Sequence, residues 1–256
     1  MNDPTSTPAF SRRALLARGG TCLAASVLLP AASGADQPSA ESAGKTEDTK
    51  PFRLCMNTAT IRGHDLSVAE EVEIAAKAGY DGIEPWIDRI GRYVEAGGSL
   101  PDLGKRIADL GLHVEGAIGF PNWGVDDPQK RAEGFDRMRR DMEVIRTMGG
   151  KRIAAPPAGL WNADPVDLRA LGERYRAVLE LGEEMGVVPQ LEIWGAARTL
   201  GRLSEAIFVA VEAARPDACL LLDAYHLYRS GGGFEGLRLI NGAAMHVFHI
   251  NDYPAE

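Results

Sequence analysis

Three polar residues stand where a soluble protein normally keeps aliphatic ones. Glu192 lies within Pro189-Gln-Leu-Glu-Ile-Trp194, Asp223 closes Leu220-Leu-Leu-Asp223, and His249 sits in His246-Val-Phe-His-Ile-Asn-Asp252. A carboxylate among such neighbours is costly unless it is paired or bound to a cation. The three are spaced 31 and 26 residues apart, about one strand-and-helix unit each. Two carboxylates and one imidazole converging at strand ends are the donors expected of a divalent-metal site, with Mn, Mg, Co and Zn all open as the ion. The alternative is three polar groups, each satisfied separately. A bound cation would polarise a carbonyl or hydroxyl oxygen, and a carboxylate beside a C–H bond would move the proton.

The elements that must position these residues are legible as an unbroken alternation. Short runs rich in β-branched residues predict strands at Arg53–Met56, Gly82–Trp86, His113–Gly119, Arg152–Ala155, Pro189–Trp194, Ala218–Asp223 and Met245–Ile250. Between them, amphipathic patterns predict helices around Ser67–Ala78, Leu103–Leu110, Pro128–Met148, Val166–Met185, Leu200–Ala214 and, more weakly, Phe234–Ile240. Ser67 with Glu70 forms a capping signal, and glycines at 79, 111, 149 and 186 mark four helix ends. Strands joined by helical crossovers run parallel, and strands apolar along their length are covered on both faces. The first strand is not followed by the Gly-x-Gly-x-x-Gly turn of a dinucleotide fold. The expectation is an α/β fold of the (β/α)8 TIM-barrel type, which places active sites at the C-terminal mouth of the strands. Within it, Leu191 and Ile193 face the helices while Glu192 faces inward. His246, three residues before His249, falls on the opposite face and is read as an ordinary, partly buried histidine. Seven strands and six helices are counted before Glu256, so the barrel is expected to be incomplete, a truncated version of a longer enzyme that lacks its eighth strand.

Composition bounds the function. With 45% apolar and 25% charged residues, disorder and a polytopic membrane protein are excluded. Ser11-Arg12-Arg13-Ala14-Leu15-Leu16, an apolar stretch from Cys22 to Ala32, and Ser33-Gly34-Ala35 read as a twin-arginine export signal over residues 1–35. The apolar stretch is too short for a stable membrane anchor. The polar residues 36–50 read as a linker, and the barrel domain as 51–256. The expected location is periplasmic or secreted. Removing residues 1–35 takes away three arginines and one aspartate and moves the net charge from −8 to −10, which disfavours a nucleic-acid partner. Cys55 and Cys219 are then the remaining cysteines, too few for a disulfide framework. Homo-oligomerisation is left open.

Four motifs carry a resemblance. Gly79-Tyr80-Asp81-Gly82-Ile83-Glu84, Leu191-Glu192-Ile193, Asp223-Ala224-Tyr225-His226 and His249-Ile250-Asn251-Asp252 follow one another across the mature chain. In this order the chain resembles the sugar phosphate isomerase/epimerase family, the xylose isomerase-like TIM barrels. The resemblance implies that Glu192, Asp223 and His249 bind a divalent cation, that His226 contacts a substrate oxygen, and that Glu192 also transfers a proton. It further implies a fourth ligand, a glutamate on the eighth strand. The implied function is metal-dependent isomerisation or epimerisation of a sugar, sugar phosphate or related polyol through a metal-bound enediolate. A keto-polyol dehydratase and a non-catalytic sugar-binding barrel are the alternatives.

The aromatic residues belong to this sequence rather than to the family pattern. Trp86, Trp123, Trp161 and Trp194 fall at or just after the predicted ends of strands two to five, and Tyr225, Tyr228 and Tyr253 follow strands six and seven. Such rings suit the C–H faces of a sugar, with Tyr225 and the four tryptophans as substrate-binding candidates, or else they cover the barrel end. Glu84 is either a further polar group in the mouth or a helix-facing salt bridge or loop cap.

Overall fold

The computed structural model describes residues 52–251. The expected export signal, the linker and Tyr253 lie outside the described residues. Among the described residues there are seven strands, in two parallel sheets. The first holds β1 (Cys55–Asn57), β2 (Gly82–Glu84) and β3 (His113–Val114) in that order. The second holds β4 (Arg152–Ala155), β5 (Val188–Glu192), β6 (Leu220–Asp223) and β7 (Met245–His249), also in chain order. A backbone bond from Ala154 N–H to the Ala117 carbonyl, 2.9 Å, carries the first sheet's chain across to β4. This is the strand order of a partial barrel.

Seven α-helices are described: α1 (Val68–Lys77), α2 (Ile87–Glu95), α3 (Leu100–Asp109), α4 (Pro128–Thr147), α5 (Leu168–Met185), α6 (Leu203–Glu212) and α7 (Ala224–Arg229). Their ends follow from local chemistry. The Ser67 hydroxyl accepts from Glu70 N–H while the Glu70 carboxylate accepts from Ser67 N–H, closing a reciprocal cap on α1. Asp127 caps α4 just before Pro128, whose missing N–H costs nothing at a first helical position. Gly186 ends α5 at φ +69, a conformation that β-carbon crowding denies most residues.

Two apolar layers result. Ile83, Ile153, Leu191 and Leu222 on the outer strand faces pack with helical residues such as Ile90, Ile107, Met142 and Ile145. A smaller interior layer joins Ile118, Ala154 and Leu221, with Trp86 and Val247 against it. In a parallel sheet, residues in register share a face. Glu192 is in register with Leu221 and Asp223 with His249, which aims all three polar side chains inward.

Some elements differ from the sequence reading. β3 is two residues long rather than seven, because the chain bends past two carboxyl groups. A β-carbon at Gly116 would lie 2.7 Å from Glu84 Oε1, and one at Gly119 would lie 2.7 Å from Asp141 Oδ2. The short helices α2 and α7 are additional to those expected, and 234–240 forms a 3-10 turn at Glu235–Leu239. Among the described residues no helix is long and apolar enough to cross a membrane.

Candidate active site

Four ionisable side chains end four strands at the C-terminal mouth: Glu84 on β2, Glu192 on β5, Asp223 on β6 and His249 on β7. The three carboxylates are buried. His249 bridges two of them, with Nε2 2.6 Å from Glu84 Oε2 and Nδ1 3.5 Å from Asp223 Oδ2. Carboxylates at both ring nitrogens call for a proton on each. Burial opposes that charge, but Glu84, the hydrogen bonds to Asp223 and Glu84, and nearby Glu192 outweigh it and raise the imidazole pKa to about 11.

Two asparagines hold the carboxylates. Asn57, ending β1, donates from Nδ2 to Glu84 Oε2 at 2.8 Å and accepts the Trp86 indole N–H at 3.1 Å. Asn251 donates from Nδ2 to both oxygens of Asp223, at 3.1 and 3.0 Å. Its own Oδ1 accepts from Tyr225 N–H at 3.2 Å. Asp223 also caps α7, accepting from His226 N–H at 3.2 Å. Burial alone would raise the Asp223 pKa, but the bonds from His249 and Asn251 and the neighbouring His226 carry it below the ordinary value.

Glu192 has less support, a single side-chain bond from Trp194. Burial pushes its pKa to about 8; His249 pulls it down, Glu84 and Asp223 push it further up, and a bond from the Trp194 side chain opposes them. Its Oε2 is buried without a hydrogen-bond partner, as is Glu84 Oε1. A carboxyl group in that condition is poised to accept a proton, a donor or a cation.

His226 on α7 accepts from Gly195 N–H through Nδ1 at 3.2 Å, which leaves its proton on Nε2. Burial lowers its pKa; Asp223 opposes this and His249 adds to it, so the ring is a neutral donor. The contact requires glycine at 195, where a β-carbon would fall 2.1 Å from the His226 carbonyl oxygen.

The structure thus brings Glu84, Glu192, Asp223, His249 and His226 together and resolves the two readings of Glu84 in favour of the mouth. Among the described residues no three His, Cys, Asp or Glu side chains form a ready-made metal cage. His249 commits both nitrogens to carboxylates. His246 is exposed on the outer face of β7.

The aromatic candidates divide. Trp86 and Trp194 are half-buried at the mouth, and Phe120 bridges them, its ring centroid 5.2 Å from Trp86 and 6.0 Å from Trp194. Trp161 meets Trp194 at 5.8 Å. Trp123 stands apart. It is fully buried, donates its indole N–H to the Pro156 carbonyl at 2.7 Å and packs on Tyr175, so it fills core and offers no face to the mouth. The Tyr225 ring lies 5.2 Å from the His226 ring. Asn57 and Phe120 escape the sequence reading, and Asn251 enters it only within a motif, without a role. Each is a polar or aromatic residue just past a strand predicted from the sequence, and that position is the signal available.

The profile of the xylose isomerase-like TIM barrel family matches residues 72–256. Inosose isomerase of Bacillus velezensis is 26% identical over 212 residues, covering 78% of this chain and 72% of the relative. Inosose isomerase of Bacillus subtilis is also 26% identical over 212 residues, covering 78% and 73%. Among solved structures, the IOLI protein with a binding zinc atom superposes with a TM-score of 0.71 at 22% identity, covering 79% of this chain and 75% of that one. The 3-keto-D-glucoside 4-epimerase of E. coli gives 0.61 at 21% identity, covering 73% and 74%. With its parallel strand order and the matched profile, the chain belongs to the xylose isomerase-like TIM barrel family.

Proposed function

We propose that this protein isomerises or epimerises a sugar or related polyol by carboxylate-mediated proton transfer at the strand-end mouth. It is an enzyme of the sugar isomerase/epimerase type. The observation that carries the mechanism is the buried Oε2 of Glu192, without a hydrogen-bond partner, beside Glu84, Asp223 and His249. In its ionised form, which gains as pH rises toward about 8, Glu192 takes a proton from a substrate carbon and returns it to a neighbouring carbon; inversion at a single carbon requires a second acid on the opposite face. His226, with its proton on Nε2, donates to the substrate oxygen that gains negative charge as the C–H bond breaks. Asn57 fixes Glu84, and the half-buried Trp86 and Trp194 receive the C–H face of the ring.

The residue types suit a divalent cation once His249 gives up a proton and one of its carboxylate contacts, because buried oxygens on Glu192 and Glu84 lack hydrogen-bond partners. Glu192, Asp223 and His249 would hold it. When bound, it would supply Lewis-acid polarisation of a substrate carbonyl or hydroxyl.

The test is to incubate the protein with Mn²⁺ or Mg²⁺ and a panel of inososes, ketoses and keto-glycosides in D₂O. Deuterium entering a carbon-bound position, lost in Glu192→Gln, is the expected result. No exchange with any member, or unchanged exchange in the variant, overturns the reading; loss of water instead marks a dehydratase. Residues 1–35 are proposed as a twin-arginine export signal. Replacing Arg12 and Arg13 together by lysine should retain the protein in the cytoplasm, and unaltered export would remove that reading.

A further inference from the structure

One side chain on β5 is polar at both ends of its amide and bonded at neither. Gln190 is fully buried, and neither its amide oxygen nor its amide nitrogen has a hydrogen-bond partner. Its neighbours fix its direction. The Pro189 ring packs outward, where a β-carbon at Gly182 of α5 would lie 2.5 Å from Pro189 Cδ, and Leu191 belongs to the outer apolar layer. Side chains alternate along a strand, so Gln190 points into the barrel on the same face as Glu192. Its register partner is Ala154, which forms the interior layer with Ile118 and Leu221. An amide set among apolar groups with nothing to bond is costly.

Glu192, two residues along the same face, has the matching deficit at Oε2. Glutamine and glutamate side chains are equally long, so their ends are set apart by the rise of the strand, about 6.6 Å over two residues. That is too far for a direct hydrogen bond and close to the roughly 5.6 Å that one water spans with two ordinary hydrogen bonds. A buried water needs several polar partners, and the amide oxygen, the amide nitrogen and the carboxylate oxygen supply them. The side chain beside Gln190 in register is a single methyl group, Ala154.

We infer that Gln190 is a positioning residue for the proton-transfer step, holding a buried water between its amide and Glu192 Oε2. This rests on the proposed proton transfer by Glu192 and adds what that carboxyl group meets beneath the substrate. A carboxylate oxygen has two lone pairs, so Oε2 keeps the water on one and takes the substrate proton on the other. The C–H bond breaks, its electron pair stays on the substrate, and Glu192 becomes a carboxylic acid. Before returning a proton to carbon, that acid exchanges with the water, giving one proton and receiving another, with no net charge moved. In D₂O the water therefore brings deuterium to each turnover.

Turnover in D₂O of a ketose or inosose that the protein isomerises, with deuterium counted in the product, tests this. Gln190→Met keeps the volume and removes both polar ends. Deuterium per product should fall about threefold or more as the substrate's own hydrogen is returned, with kcat about tenfold lower and KM unchanged. A packing role would move the melting temperature and leave the label per product where it was; full label in a folded Gln190→Met overturns the inference. A high-resolution crystal structure of the unaltered protein depends on neither turnover nor the variant. One water within hydrogen-bond distance of both the Gln190 amide and Glu192 is expected, and a dry amide, or one bonded directly to Glu192, overturns the bridge. Turnover with unaltered label in the variant removes the role of Gln190 alone. No turnover with any sugar of the panel removes the proton-transfer reading, and the crystal structure then decides the water by itself.

Discussion

Two clusters of charge are buried among the strands, and they are built on opposite principles. At the C-terminal mouth, Glu84, Glu192 and Asp223 share a single imidazolium, His249. Toward the N-terminal ends, Glu115 alone faces two guanidiniums, Arg53 and Arg152, the latter opening β4. The lower cluster matches a buried acid with cations that reach solvent, and it needs nothing from outside. The upper one keeps more acid than base, and Glu84 Oε1 and Glu192 Oε2 have no hydrogen-bond partner, whereas Glu115 Oε1 below meets Arg53 as an ion pair. Buried charge alone does not mark a functional site; an excess of acid over base gathered at strand ends is what sets the mouth apart.

The sharpest test of that contrast removes one acid from the upper cluster. Glu192→Gln should lower the rate of deuterium exchange by about 10²–10⁴-fold, the range for losing a positioned proton-transfer group. Its melting temperature should hold or rise, because an unsupported carboxyl is replaced by a neutral amide. A variant that melts several degrees lower yet turns over normally would place Glu192 with the structural groups.

A further buried carboxyl group, Glu71 on α1, lies outside both clusters and asks whether a partner or burial decides. Arg89 Nη1 stands 3.2 Å away, yet burial wins and holds the Glu71 pKa up at about 7 from 4.5. The folded protein therefore keeps a proton on Glu71 that the unfolded chain has released. Stability from this group is full below pH 4.5 and declines as pH rises to about 7, by on the order of 3 kcal/mol. Denaturant titrations across that window should show the decline flattened in Glu71→Gln. An unchanged slope would mean that Arg89 compensates the carboxylate fully.

Breaking the lower cluster should cost stability and spare chemistry. Glu115→Gln leaves two guanidiniums facing each other, with a penalty of about 1–3 kcal/mol, moderated because both reach solvent. Exchange per folded molecule should stay near wild type; a large catalytic loss would join the two clusters into one functional unit. At the small end, Arg139→Ala removes a two-point contact to Glu184 between exposed side chains, and the melting temperature should not move measurably.

The alternation of strand and helix patterns was enough to read the partial barrel and to bring Glu192, Asp223 and His249 to equivalent strand ends. What escaped depended on partners distant in sequence. Asn57 is an unremarked polar residue until Glu84, 27 positions on, accepts its proton. Glu84 stayed ambiguous because β2 is three residues long and buried on both faces, so alternation does not say which way it points. Helix α2 carries Ile87 and Ile90 on one face, but Pro85 before it and Gly97-Gly98 after it give the segment the look of a loop. Trp123 had the right position for the mouth and the wrong direction, which the Pro156 carbonyl and Tyr175 determine.

The Glu84–His249 contact has a mechanical side. It joins residues 165 positions apart, one in the three-stranded sheet and one in the four-stranded sheet. At β3 and β4 the sheets are linked by backbone, through Ala154 and Ala117; here the link is a side-chain ion pair, and its atoms are those a ligand would compete for. Whatever draws His249 away from Glu84 also loosens a clasp between the two sheets. Occupancy of the mouth and cohesion of the halves are then thermodynamically linked, so a ligand that replaces the clasp with its own contacts would register as a change in how cooperatively the whole molecule unfolds.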